Sequence, residues 1–177
     1  GINSESQLRD LHIRGNYVYV ADSGNDRMWV IDISDPVNPR VVGDVYFATD
    51  GSDDNDPWGA ESVDLKGDYA LVLDNNPGEL ISVDVSNPGS PSIAATTSAT
   101  TIYGGKELEV SGNYAYVIDS ETDQVNVYDV TDPSTLNQVG SIGVTSAPET
   151  IDISGDYAYV GGEESALSIV DVSSPVS

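Results

Sequence analysis

Apolar and polar residues alternate with a period of two in short runs along the whole chain, and glycine, proline, asparagine and aspartate break the runs. Such runs read as half-buried β-strands, and no stretch shows the longer period of an amphipathic helix. The runs themselves repeat. A short alternating strand ends in Gly-Asn or Gly-Asp, and a Tyr-led apolar strand follows it. A polar hairpin comes next, then a strand that closes on Asp-x-Ser/Thr-x-Pro. The anchor glycines are Gly15, Gly67, Gly112 and Gly155, at spacings of 52, 45 and 43. A weaker fourth strand is predicted at Val41–Val45, Ile93–Thr97 and Val139–Ile142.

This pattern predicts an all-β fold, a β-propeller of four tandem four-stranded antiparallel blades, standing alone or as a segment of a larger propeller or assembly. One repeat domain covers 1–177, with units at about 8–47, 61–97, 106–143 and 148–177 and an acidic insertion at 48–60. The Gly-Asn/Asp pairs are hairpin-turn chemistry, since both residues tolerate positive φ. Tyr17, Tyr69, Tyr114 and Tyr157 follow these turns and are expected to pack between blades. Asp32, Asp84, Asp129 and Asp171 each precede a turn, where a carboxylate accepts backbone N–H bonds. Turn bracing is therefore the role expected of them, ahead of catalysis or metal binding.

The strings VIDISDPVNP, SVDVSNPGSP, VYDVTDP and IVDVSSP, each following a Gly-Asn/Asp-Tyr strand, resemble the LVIVD-repeat family over nearly the whole chain. That resemblance implies a β-propeller of secreted or surface-anchored bacterial and archaeal proteins, in arrays usually longer than four repeats, and implies no catalytic residues. Aligning Gly15 on Gly155 places Ile2 on Ile142, as the tail of a fourth strand, while the last repeat stops before its fourth strand. The expectations are a segment of a longer array, one blade completed from both termini, or completion between chains through an unpaired edge.

Composition narrows the partners. Thirty acidic residues against six basic ones give a formal charge of −24. Such a surface repels nucleic-acid phosphates and anionic headgroups and attracts cations or basic proteins. No apolar run is long enough for a membrane helix. There is no cysteine, hence no disulfide or thiol chemistry.

Candidate chemistry is sparse. In a twelve-position calcium-loop frame, Asp50, Ser52 and Asp54 fall at the first, third and fifth positions, Asp56 offers its carbonyl at the seventh, and Glu61 closes at the twelfth. Asn55 replaces the usual glycine, Pro57 and Trp58 are unusual there, and no helices flank the loop. Calcium is the one cofactor expected. His12, Asp64, Glu109 and Asp152 occupy equivalent positions on the predicted innermost strands and are expected to line a channel, as a cation ring or as water-facing polar residues. A single histidine gives no His-based triad, and no phosphate-binding glycine loop is present. The reading that results is a non-enzymatic extracellular or cell-surface module, structural or adhesive, calcium-stabilised, with other protein chains or copies of itself as partners. The alternative is a carbohydrate-binding or carboxylate-dependent hydrolase propeller.

Overall fold

The computed structural model describes residues 2–47, 59–75, 77–98, 102, 104–144, 147–163 and 167–174. Each repeat forms one antiparallel sheet. The first holds β1 (Leu8–Arg14), β2 (Tyr17–Asp22), β3 (Arg27–Asp32) and β4 (Arg40–Tyr46), and the second holds β5 (Ala60–Lys66), β6 (Tyr69–Asp74), β7 (Glu79–Asp84) and β8 (Ser92–Thr96). The third holds β9 (Gly105–Ser111), β10 (Tyr114–Asp119), β11 (Gln124–Asp129) and β12 (Asn137–Gly143). Among the described residues the fourth sheet has three strands, β13 (Pro148–Ser154), β14 (Tyr157–Gly162) and β15 (Leu167–Asp171). The chain is thus an all-β propeller array of four blades, each running outward from its first strand.

Ile2 and Asn3 lie in no strand. Asn3 Oδ1 accepts the amides of Glu5 (2.8 Å) and Ser6 (3.2 Å), so a local turn replaces the strand tail expected from alignment with Ile142. The hairpin turns also differ in detail from expectation. Arg14 pairs with Tyr17 across Gly15 and Asn16, and Lys66 with Tyr69 across Gly67 and Asp68. Positive φ occurs only at the glycines (59°, 56°, 58° and 62° in chain order), the type II′ pattern, which asks nothing unusual of the following Asn or Asp.

The core lies between the blades. Tyr19, Met28 and Val30 of the first blade pack on Val63, Val72 and Val83 of the second. Leu71 and Leu80 then meet Leu108 and Val117, and Tyr116 and Val125 meet Ile151 and Val160. In the second and third blades the two central strands are covered on both faces, so they read as nearly continuous apolar runs, while the outer strands β4, β8 and β12 are largely exposed. The innermost strands stand side by side, β1 against β5, β5 against β9 and β9 against β13.

The repeated aspartates brace turns as expected. Their Oδ1 atoms accept the amides of Ser34 (2.8 Å), Ser86 (2.8 Å), Thr131 (2.8 Å) and Ser173 (2.9 Å). The amide and hydroxyl donors of these residues hold all four carboxyls below the usual range. Of the four tyrosines, Tyr17 and Tyr114 pack on inter-blade clusters, whereas Tyr157 in the last blade is exposed.

Gly112 isolates the turn constraint, because a Cβ there would meet nothing within 4 Å. Gly112→Ala is expected to destabilise by roughly 1 kcal/mol through positive φ alone, lowering Tm by about 2–4 °C. Gly143 has equally open surroundings and no positive φ, so Gly143→Ala should leave the thermal melt within error of the parent.

Candidate functional site

Every innermost strand carries one extra residue. Leu8 and Asp10 pair with the consecutive residues Asp22 and Ala21, so Arg9 is the bulge in β1. The same offset makes Glu61 the bulge in β5 and Glu149 the bulge in β13. In β9 it falls between Gly105 and Leu108, where Lys106 stands at the equivalent position. A bulge turns a side chain away from the face that strict alternation would give it. Here it brings Arg9, Glu61, Lys106 and Glu149 together in one cleft of about 380 Å³ at the propeller axis. The adjoining residues Asp10, Ser62, Glu107 and Thr150 complete the lining.

Charge alternates around this cleft. Arg9 Nε lies 3.5 Å from Glu61 Oε2, and Lys106 Nζ lies 3.6 Å from Glu149 Oε1. Two of the six basic residues of the chain, Arg9 and Lys106, line this cleft, against the overall negative charge. Burial pushes the Glu61 carboxyl above its ordinary range, although Arg9 and Lys106 oppose the rise. A half-buried carboxyl that retains its proton more readily, beside fixed cations, suits general acid–base work.

The adjoining positions tie the blades together. Asp10 Oδ2 accepts from Ser62 Oγ (2.8 Å) and from the amide of Val63 (2.9 Å). Ser62 Oγ accepts the amide of Leu108 at 3.2 Å, and Glu107 Oε2 accepts that of Ile151 at 2.7 Å.

The channel residues read from the sequence do stand together one layer along. His12 Nδ1 meets Asp64 Oδ1 at 2.7 Å, and Asp64 Oδ2 accepts the amide of Val110 at 2.7 Å. Burial, and then the neighbouring charges of Asp64 and Asp152, push the Glu109 carboxyl up to about 7. Among the described residues, no group of three or more His, Asp or Glu is placed to hold a metal ion. Asp64 is thus committed to the next blade's backbone and to His12, and Glu109 is crowded by the charges of Asp64 and Asp152. Of the calcium-loop set, Asp50, Ser52, Asp54 and Asp56 lie outside the described residues. Glu61 is held on β5 beside Arg9, so a calcium ion closed by Glu61 would have to draw this carboxylate away from the guanidinium.

Sequence reading missed Arg9, Lys106 and Glu149. The signal was present six residues before each anchor glycine, where basic and acidic residues alternate from repeat to repeat.

The family described as LVIVD repeat matches at residues 7–46, 59–98, 105–144 and 148–177. No curated protein matches the chain by sequence. Among solved structures, a candidate 6-phosphogluconolactonase from Bacteroides uniformis ATCC 8492 superimposes with a TM-score of 0.79 at 19% identity, over 94% of this chain and 50% of the other. The periplasmic gluconolactonase PpgL of Pseudomonas aeruginosa gives 0.73 at 16% identity, over 97% and 56%. The computationally designed protein Ika4 gives 0.70 at 10% identity, over 96% and 94%. The chain therefore spans about half the length of the natural propellers it superimposes on. The expectation of a non-enzymatic structural or adhesive module is corrected here. Propellers of this shape include proteins named as lactone hydrolases, and the bulges gather paired acids and cations in a cleft that period-two reading does not reveal.

A raised carboxyl binds its proton more tightly in the folded state than in the unfolded chain, so Glu109 costs stability as pH rises from the ordinary glutamate value through about 7. Glu109→Gln is expected to raise stability at pH 8 by on the order of 1 kcal/mol, allowing for solvent screening, and to make little difference at pH 4. Denaturant melts at the two pH values check this.

Proposed function

The chain belongs to the LVIVD-repeat family, and from that premise we propose that its axial cleft is a hydrolytic site for small polyhydroxylated lactones, the class named for its gluconolactonase neighbours. The observation that carries this reading is the convergence on four β-bulges of two cation–carboxylate pairs, one containing a carboxyl raised by burial. In the proposed reaction Glu61 takes a proton from water as the water oxygen bonds to the lactone carbonyl carbon. Arg9 and Lys106 stabilise the developing oxyanion, the role of preorganised cations aimed at a charge that forms in the transition state. The ring C–O bond then breaks, and the proton held by Glu61 passes to the departing oxygen, giving the open hydroxy acid. An extracytoplasmic location belongs to the same reading, supported by the periplasmic neighbour.

Hydrolysis of glucono-δ-lactone and its 6-phosphate, followed in a pH-stat, tests the proposal. Turnover above the spontaneous rate is expected, with Glu61→Gln lowering kcat by about 100-fold or more. Activity should rise with pH through the elevated Glu61 titration, because the base must be ionised. No acceleration of either lactone by the folded parent protein would sink the hydrolase reading.

A further inference from the structure

The axial cleft holds more negative charge than its cations balance. Asp10, Glu61, Glu107 and Glu149 line it, against Arg9 and Lys106, the two cations in its lining among the described residues. Both cations are already engaged, Arg9 at 3.5 Å from Glu61 and Lys106 at 3.6 Å from Glu149. Asp10 and Glu107 are held differently. The hydrogen bonds they accept come from neutral donors, the amides of Leu11, Val63 and Ile151 and the hydroxyl of Ser62. Neutral donors fix these two carboxylates in place but leave their charge uncancelled.

The neighbouring layer registers the same excess. Glu109 stands two residues after Glu107 on β9. Burial first, and then the charges of Asp64, Asp152, Glu107 and Asp10, push its carboxyl up to about 7, and no cation among the described residues opposes the rise. Two of those four acids, Glu107 and Asp10, belong to the lining of the cleft. Glu61 is also raised by burial, but Arg9 and Lys106 hold it back. The cations therefore act beside Glu61 and Glu149, and a ligand elsewhere in the cleft meets a negative field, which the −24 of the whole chain deepens.

Such a lining suits an uncharged polyol. A sugar hydroxyl donates to a carboxylate and still accepts a bond, and the hydroxyl-bearing Ser62 and Thr150 also line the cleft. A phosphate ester carries about −1.5 to −2 near neutral pH and offers acceptor oxygens, which the carboxylates of this cleft repel. From this charge distribution we infer that the cleft selects an uncharged sugar lactone and turns away its phosphorylated counterpart. The inference rests on the hydrolytic reading above and adds a specificity to it. Glu149 is the residue that sets this specificity, because it occupies the ammonium of Lys106 that a phosphate would need. The repulsion is Coulombic, and salt shortens its reach from about 30 Å at 0.01 M to about 10 Å at 0.1 M.

Isothermal titration with D-glucose and D-glucose 6-phosphate, ring polyols that carry no lactone to hydrolyse, tests the selection without turnover. Glucose is expected to bind, and its 6-phosphate to bind more weakly by about tenfold or more at roughly 0.01 M salt, with the gap narrowing at roughly 0.15 M. Glu149→Gln should strengthen binding of the 6-phosphate by about tenfold and shift that of glucose far less. Equal or tighter binding of the 6-phosphate by the parent would overturn the inference. So would a gap that ignores salt, a Glu149→Gln variant that binds the 6-phosphate no better, or no binding of either sugar. The two readings fail separately. Preferential binding of glucose without lactone hydrolysis removes the reaction and leaves the charge selection standing, and hydrolysis with the 6-phosphate preferred does the reverse.

Discussion

The structure depends on the burial of one blade's apolar face against the next. No blade has an interior of its own, being a single sheet, and each is stable only because neighbouring blades cover its apolar faces. At roughly 25 cal/mol per Å² of apolar surface removed from water, these faces supply the main driving force for folding. The same dependence explains why the identical residue types are buried in the middle of the arc and exposed at its ends. Tyr116 and Tyr159 occupy equivalent positions, yet only the first has a following blade to cover it.

Polar chemistry is subordinate to this stacking and is arranged by it. Asp10, Asp64 and Glu107 at the axis serve first as inter-blade fasteners, taking amide hydrogens from the neighbouring innermost strand. A buried donor left without an acceptor costs more than a hydrogen bond returns, so these carboxylates are constrained by the backbone they face. Asp22 shows the same logic at a hairpin. Burial alone would raise its carboxyl, but Trp29, Asn25 and the amide of Gln7 all donate to it and hold it below its ordinary value. The bulged positions escape such duty, which leaves Arg9, Glu61, Lys106 and Glu149 facing the cleft and one another.

Much of the fold was legible because its determinants are local. The turn glycines, the Tyr-led strands and the bracing aspartates recur in every unit, and four copies reinforce a weak signal. Gly112 and Asp129 do in the structure what their sequence neighbours require of them. The cleft was less legible because its members lie 43–52 residues apart in sequence and one per blade. Period-two reading singles out His12, Asp64, Glu109 and Asp152, which do meet, but it cannot see that a bulge re-aims the residue at Arg9 or Glu149. Glu61, read from the sequence as the twelfth position of a calcium-loop frame, lies on β5 beside the Arg9 guanidinium, a neighbour that the local frame does not reveal.

Inter-blade burial as the source of stability has a direct readout in amide hydrogen exchange, which resolves local from global opening. The most protected amides are expected in β6, β7, β10 and β11, whose blades have neighbours on both sides. β14 and β15, covered on one face only, should exchange markedly faster. Equal protection across all four blades, or greatest protection in the last, would contradict the account.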